Sequence, residues 1–151
     1  GYCAEYPQLI DNIKYNKANG FIGASFLQCN GIKIRTSNET DEFISEIMSA
    51  GVENIDTTFF GDREYHNLFS GRCGDYDFML QLATRASALG LKCSPTVVIT
   101  QENINMLDDL FHILYSIPEI KEIHSFLPDY RRLLIKSATF FLCRKALIPL
   151  F

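Results

Sequence analysis

The side chains with the most capacity for chemistry fall in one stretch, GVENIDTTFFGDREYHNLFSGRCG, from Gly51 to Gly74. Asp56, Thr57 and Thr58 stand in a short run of β-branched and aromatic residues that Gly61 closes, the composition of a strand. Asp62, Arg63, Glu64, Tyr65 and His66 then bring carboxylates, a guanidinium, a phenol and an imidazole together. In a strand–loop–helix unit such a loop lies at the carboxyl end of the strand, where α/β sheets and barrels bind ligands. The pattern predicts a strand over 52–60, a polar loop over 61–74 and a helix from about Asp75.

Plainer roles compete with chemical ones at several positions. A loop histidine more often orders backbone than moves protons, and His66 is read that way. His112 lies off the apolar stripe of its helix, and Asp108-Asp109 reads as a solvated helix face. Cys93 and Cys143 read as small core hydrophobes. Cys3 and Cys29 both fall near strand ends but read as two free thiols, since a structural zinc or iron–sulfur site wants four ligands. Gly71 and Gly74 around Arg72 fit no nucleotide-binding fingerprint.

The elements that must position these groups follow a repeating order. Pro7 suits a first helical turn, and Leu9, Ile10 and Ile13 form an apolar stripe up to Asn19-Gly20. A strand over 21–27 follows, closed by the turn Cys29-Asn30-Gly31. A second helix, capped at Asn38 or Thr40, carries Phe43, Ile44, Ile47 and Met48 on one face and stops at Gly51, suited to a left-handed C-cap. The helix from Asp75 buries Phe78, Met79, Leu82, Ala83, Ala86 and Leu89. A strand over 91–99 comes next. A fourth helix, capped at Thr100 or Asn103, turns Ile104, Leu107, Leu110, Phe111 and Leu114 inward until Ile117-Pro118. Residues 120–127 form the last strand.

The helix–glycine–strand unit at Gly20, Gly51 and Gly90 argues for adjacent parallel strands in sequence order, joined by right-handed crossovers. An open sheet and an arc of a barrel both fit. Alternation separates Ile55, Thr57 and Phe59 from Asn54, Asp56 and Thr58, and Cys93, Pro95, Val97 and Ile99 from Lys92, Ser94, Thr96 and Val98. A parallel strand covered on both faces would be apolar nearly throughout. Asp56, Thr58, Ser94, Thr96 and His124 are therefore candidates for a wet cavity, against the alternative of polar groups satisfied by loop backbone.

Bulk properties limit the function classes. A chain of 151 residues can bury one core but is short for a complete eight-fold barrel. A net charge of −4 gives no electrostatic case for nucleic acid or an anionic membrane. Five irregularly spaced cysteines suit a reducing compartment, so a cytoplasmic protein is expected. The start at Gly1, without methionine or a leader, suggests missing upstream sequence.

Taken in order, EYPQLIDNIKYNKANGF, SFLQCNG, AGVENIDTTFFG with EYHNLFSGR, GLKCSPTVVITQEN and LPDYR resemble the radical S-adenosylmethionine family, narrowly its members with a C-terminal extension. The resemblance covers residues 1–131. It implies an α/β fold, strands two to six of a partial (β/α)6 barrel with helices on the outer face. It implies reductive cleavage of S-adenosylmethionine at a [4Fe–4S] cluster to give a 5′-deoxyadenosyl radical, acting on a small-molecule or peptide substrate. The family's three-cysteine C-x-x-x-C-x-x-C loop does not occur in this sequence, so the cluster ligands are absent and the chain alone is expected to be inactive. By resemblance the cofactor-binding positions are Gly1, Asn30, Thr58, Thr96 and Val98, with no catalytic or metal-binding residue assigned. Tyr2 and Cys3 stand where the family has Glu-Pro, and Cys29 where it has threonine; Thr58 stands at its strand-four serine. His66 matches a histidine common in the following loop.

Two other functions are open: a decayed, non-catalytic β/α domain with a structural or binding role, and a barrel segment that binds a phosphorylated metabolite. The tail, residues 132–151, departs from the family. Its apolar stretch 137–143 is too short to span a bilayer. It reads as a core helix or as a shifted reading frame, and residues after Arg131 are expected to pack less well than the core.

Overall fold

The computed structural model describes residues 3–128. Its centre is a four-stranded, all-parallel sheet in sequence order, β1 (Phe26–Gln28), β2 (Asn54–Phe59), β3 (Lys92–Val98) and β4 (His124–Phe126). The helices are α1 (Leu9–Ala18), α2 (Ser37–Ala50), α3 (Arg63–Ser70), α4 (Asp75–Ala88) and α5 (Leu107–Ser116). The register sets Gln28 beside Asp56 and Asp56 beside Ser94 in one rung, and Thr58, Thr96 and His124 in the rung two residues on.

The core lies against one face of the sheet. Leu27, Ile55, Phe59, Cys93 and Val97 join one buried cluster with Phe43, Ile44 and Ile47 of α2, Phe78, Met79 and Leu82 of α4, and Leu107, Leu110 and Leu114 of α5. Full burial of one such aliphatic or aromatic side chain is worth about 1.5–3 kcal/mol. Thr57 shares this face, fully buried, with its hydroxyl 3.7 Å from the Cys93 thiol. The opposite face is mixed: Gln28, His124 and Phe126 are exposed, Asn54, Thr58 and Thr96 are half-buried, and Asp56 and Ser94 are buried.

Several boundaries differ from the sequence reading. Residues 22–25 form a 3-10 turn, so β1 spans three residues instead of seven. β4 likewise keeps only three, since residues 121–123 have no regular structure. Both flank the sheet and have a single described partner strand, so fewer ladder bonds hold them extended. Pro7 stands in a turn ahead of α1. The cap of α2 is Thr36, whose side chain accepts from the Glu39 N–H while the Glu39 carboxylate accepts from the Thr36 N–H. That is a capping box, T-x-x-E, standing two residues before Asn38 and four before Thr40, the two expected caps. Leu89 is 40% exposed because α4 ends at Ala88 and carries Leu89 off the buried stripe.

The expected loop over 61–74 contains the helix α3. The Asp62 side chain accepts from the Tyr65 N–H at 2.8 Å, and Gly71 closes the helix in the left-handed region at φ 68°. Gly61, at φ 143°, holds a backbone conformation that residues with a Cβ rarely adopt, and a Cβ there would stand 2.8 Å from the Met106 sulfur. Gly1, Tyr2 and the segment 129–151, on which the expectations for Gly1 and for the tail fall, lie outside the described residues.

Candidate functional site

The polar residues of the second face form closed pairs low on the sheet and open groups near its carboxyl end. Asn54 and Ser94 exchange hydrogen bonds, Asn54 Nδ2 donating to Ser94 Oγ at 3.0 Å. One rung higher in β2, Asp56 Oδ2 accepts from the Thr96 hydroxyl at 3.3 Å. Asp56 is only 7% exposed, and its Oδ1 is buried without a hydrogen-bond partner among the described residues. Burial pushes the Asp56 carboxyl above its usual pKa; the Thr96 hydrogen bond and the His124 charge pull against it. The face expected from alternation to be wet is thus drier at Asp56, which stands between Gln28 and Ser94 in the ladder, and at Ser94 than at Thr58, Thr96 and His124.

Asn30 and Thr58 are brought together at the carboxyl ends of β1 and β2. The Thr58 N–H donates to Asn30 Oδ1 at 2.9 Å, which fixes the orientation of the amide. The Asn30 amide nitrogen and the Thr58 hydroxyl make no hydrogen bond among the described residues, so both remain free to meet a ligand. Thr96 pairs with Thr58 in the ladder. Val98 is 9% exposed on the same face, beside Phe126 of β4, and takes no part in the helical core cluster. Four of the five positions implied by resemblance therefore share one face and one end of the sheet; Gly1 lies outside the described residues.

His66 has no room for acid–base work. It is fully buried on α3, where Nδ1 accepts from the Phe60 N–H at 3.3 Å and Nε2 lies 3.2 Å from Asp75 Oδ2. A backbone donor at Nδ1 places the proton on Nε2, facing the carboxylate. Asp75 also meets Arg72 at 3.1 Å, and Arg72 Nη2 donates to the Ile32 carbonyl. Burial raises the Asp75 pKa, but the His66 hydrogen bond and the Arg72 charge outweigh it and hold the carboxyl below its usual value. The network ties α3 and the start of α4 to the chain leaving β1.

One residue of the site's framework, expected as a helix cap, has another role. Asn103, fully buried, donates through Nδ2 to the carbonyls of Phe60 and Val98 and accepts the Thr100 N–H at 2.8 Å. It bolts together the carboxyl ends of β2 and β3, instead of capping α5. The T-x-x-N spacing Thr100–Asn103 was visible, but its partner at Phe60 stands 43 residues away.

Metal chemistry finds no ligand set here: among the described residues no group of three or more His, Cys, Asp or Glu could hold an ion. Cys29 and Cys93 are buried, and burial pushes the Cys93 thiol up to about 11, far from the thiolate that metals bind. Among the described residues no helix is long and apolar enough to cross a membrane. His112, Asp108 and Asp109 are exposed. No protein-family model matches the chain, and no curated protein matches it.

Proposed function

We propose that this chain is the cofactor-facing arc of a radical S-adenosylmethionine core, a cytoplasmic β/α domain whose strands belong to a partial (β/α)6 barrel with its helices outside. The observation that carries the reading is the junction of Asn30 and Thr58. At the carboxyl ends of two neighbouring parallel strands, an amide nitrogen and a hydroxyl without a hydrogen-bond partner among the described residues stand close together. Such groups suit the hydroxyls of a ribose or the carboxylate of an amino acid, and ligands of β/α units bind at that end. Thr96 and Val98 continue the same face, polar then apolar, as a ligand with a sugar and a flat base requires.

The described residues do not fit a [4Fe–4S] cluster, and no step of the reaction is assigned to them. When bound in an intact core, the cluster supplies the electron that cleaves the sulfonium. This chain's part is binding and orientation of the cofactor, with a small-molecule or peptide substrate approaching the same face.

The test is calorimetric titration of S-adenosylmethionine into the full chain. Saturable binding is expected, about tenfold weaker in Thr58→Val, the loss equivalent to about 1.4 kcal/mol. No binding to the wild-type chain removes the proposal.

A further inference from the structure

We propose that Asp56 anchors a cationic nitrogen of the ligand, a primary ammonium, on the face of the sheet opposite the helical core. The inference rests on the reading of that face as ligand-facing, and adds the class of group recognised there. Asp56 is more than nine-tenths buried, yet only one of its oxygens is hydrogen-bonded among the described residues, to the neutral hydroxyl of Thr96. Its rung neighbour Ser94 is committed to Asn54 at 3.0 Å. Lys92, on the same face of β3, is drawn away to Glu122 at 3.0 Å. Among the described residues, the charged and titratable groups that bear on Asp56 are His124 from β4 and the Cys93 thiol of β3, whose pKa the carboxylate helps to raise. No lysine or arginine of the described residues is paired with it.

A buried carboxylate left with one neutral donor is unfavourable unless a charge or further donors complete it. A ligand hydroxyl would supply a hydrogen bond without the charge, and an anion would be repelled. An ammonium supplies both, with three donors for Oδ1 and the rim hydroxyls. Asp56 stands one rung before Thr58 on the same face, so such a nitrogen would lie deeper in the sheet than a group held by Asn30 and Thr58.

The experiment follows the Asp56 side-chain carboxyl by carbon-detected nuclear magnetic resonance in the full chain, with n-butylammonium chloride as probe and sodium chloride as control. The amine is expected to shift the Asp56 signal saturably and to move its titration midpoint down by roughly one pH unit, a tenfold coupling. Sodium chloride moves neither, and Asp56→Asn abolishes saturable binding. Absence of a saturable shift in the wild-type chain overturns the proposal whether or not the variant folds, as does equal amine binding in Asp56→Asn. A second variant, Arg131→Ala with Arg132→Ala, tests whether the chain's own guanidinium is the partner. A midpoint rise there as large as the fall caused by the amine also overturns it. S-adenosylmethionine is titrated separately. Amine binding at Asp56 without cofactor binding leaves this inference standing and removes the cofactor reading, and cofactor binding with a silent Asp56 does the reverse.

Discussion

The Thr58 N–H donates to Oδ1 of Asn30 across 2.9 Å, so a side chain from the turn after β1 completes the backbone bonding of β2. The pair lies where two parallel strands end, and among the described residues it leaves one amide nitrogen and one hydroxyl uncommitted. The Asn30 side chain thus has two faces, one holding the neighbouring strand and one facing outward. Its loss and the loss of the Thr58 hydroxyl should be separable.

Asn30→Ala should lower stability by about 1–3 kcal/mol, the cost of an unpaired, partly buried N–H. Thr58→Val keeps that N–H and suits a strand, so its unfolding midpoint should stay near that of the wild-type chain. Urea unfolding followed by circular dichroism checks both. Equal destabilisation by the two variants would show that the Thr58 hydroxyl is structural after all.

Asn103→Ala should be among the most damaging polar substitutions, at about 2–4 kcal/mol. It strands the Phe60 and Val98 carbonyls and the Thr100 N–H together, and buried unpaired groups cost the most. Thr100→Ala removes a single 3.3 Å hydrogen bond to the Asn103 N–H and a contact with the Tyr65 hydroxyl, and should cost markedly less. Denaturant titration of the two variants side by side gives the comparison.

The Asp75 carboxyl is held below its usual pKa in the folded chain. The stability it contributes is present above the unfolded carboxyl pKa, about 3.9, and is lost as pH falls through the folded value. Asp75→Asn should therefore destabilise at pH 7 and flatten the acid limb of the stability curve. An acid limb of unchanged slope in Asp75→Asn would contradict the pairing with His66 and Arg72.

Asp56 behaves oppositely. Its folded pKa is raised, so the folded state takes up a proton, and the chain loses stability as pH rises from the unfolded value through the folded one. The stability of Asp56→Asn relative to the wild-type chain should accordingly improve between about pH 4 and pH 7. Unfolding curves at the two pH values decide this, and a constant difference would place Asp56 in water.

Anaerobic reconstitution of the full chain with iron and sulfide should yield less than one [4Fe–4S] cluster per chain. Iron analysis with electron paramagnetic resonance reads the result. A stoichiometric cluster would mean that cysteines without the three-cysteine spacing can hold one.

Much of the architecture was legible because it is written in local periods. The separation of Ile55, Thr57 and Phe59 from Asn54, Asp56 and Thr58 is a two-residue alternation, and it predicted which strand face meets the helices. The recurrence of helix, glycine and strand predicted four parallel strands in chain order. Gly51, at φ 105° with the Lys17 side chain lying where a Cβ would stand, marked the end of α2. Two local signals were there and were passed over: Thr36–Glu39, a capping box, and Asp62 with Gly71, the two ends of α3. The sequence by itself determined the order and sidedness of the sheet. The tertiary structure alone decided how far each strand extends, that Asp56 is enclosed between neighbouring strands, and that Asn103 reaches from the end of β3 to the end of β2. Those features depend on register and on partners about 30 to 43 residues apart along the chain, which no local period encodes.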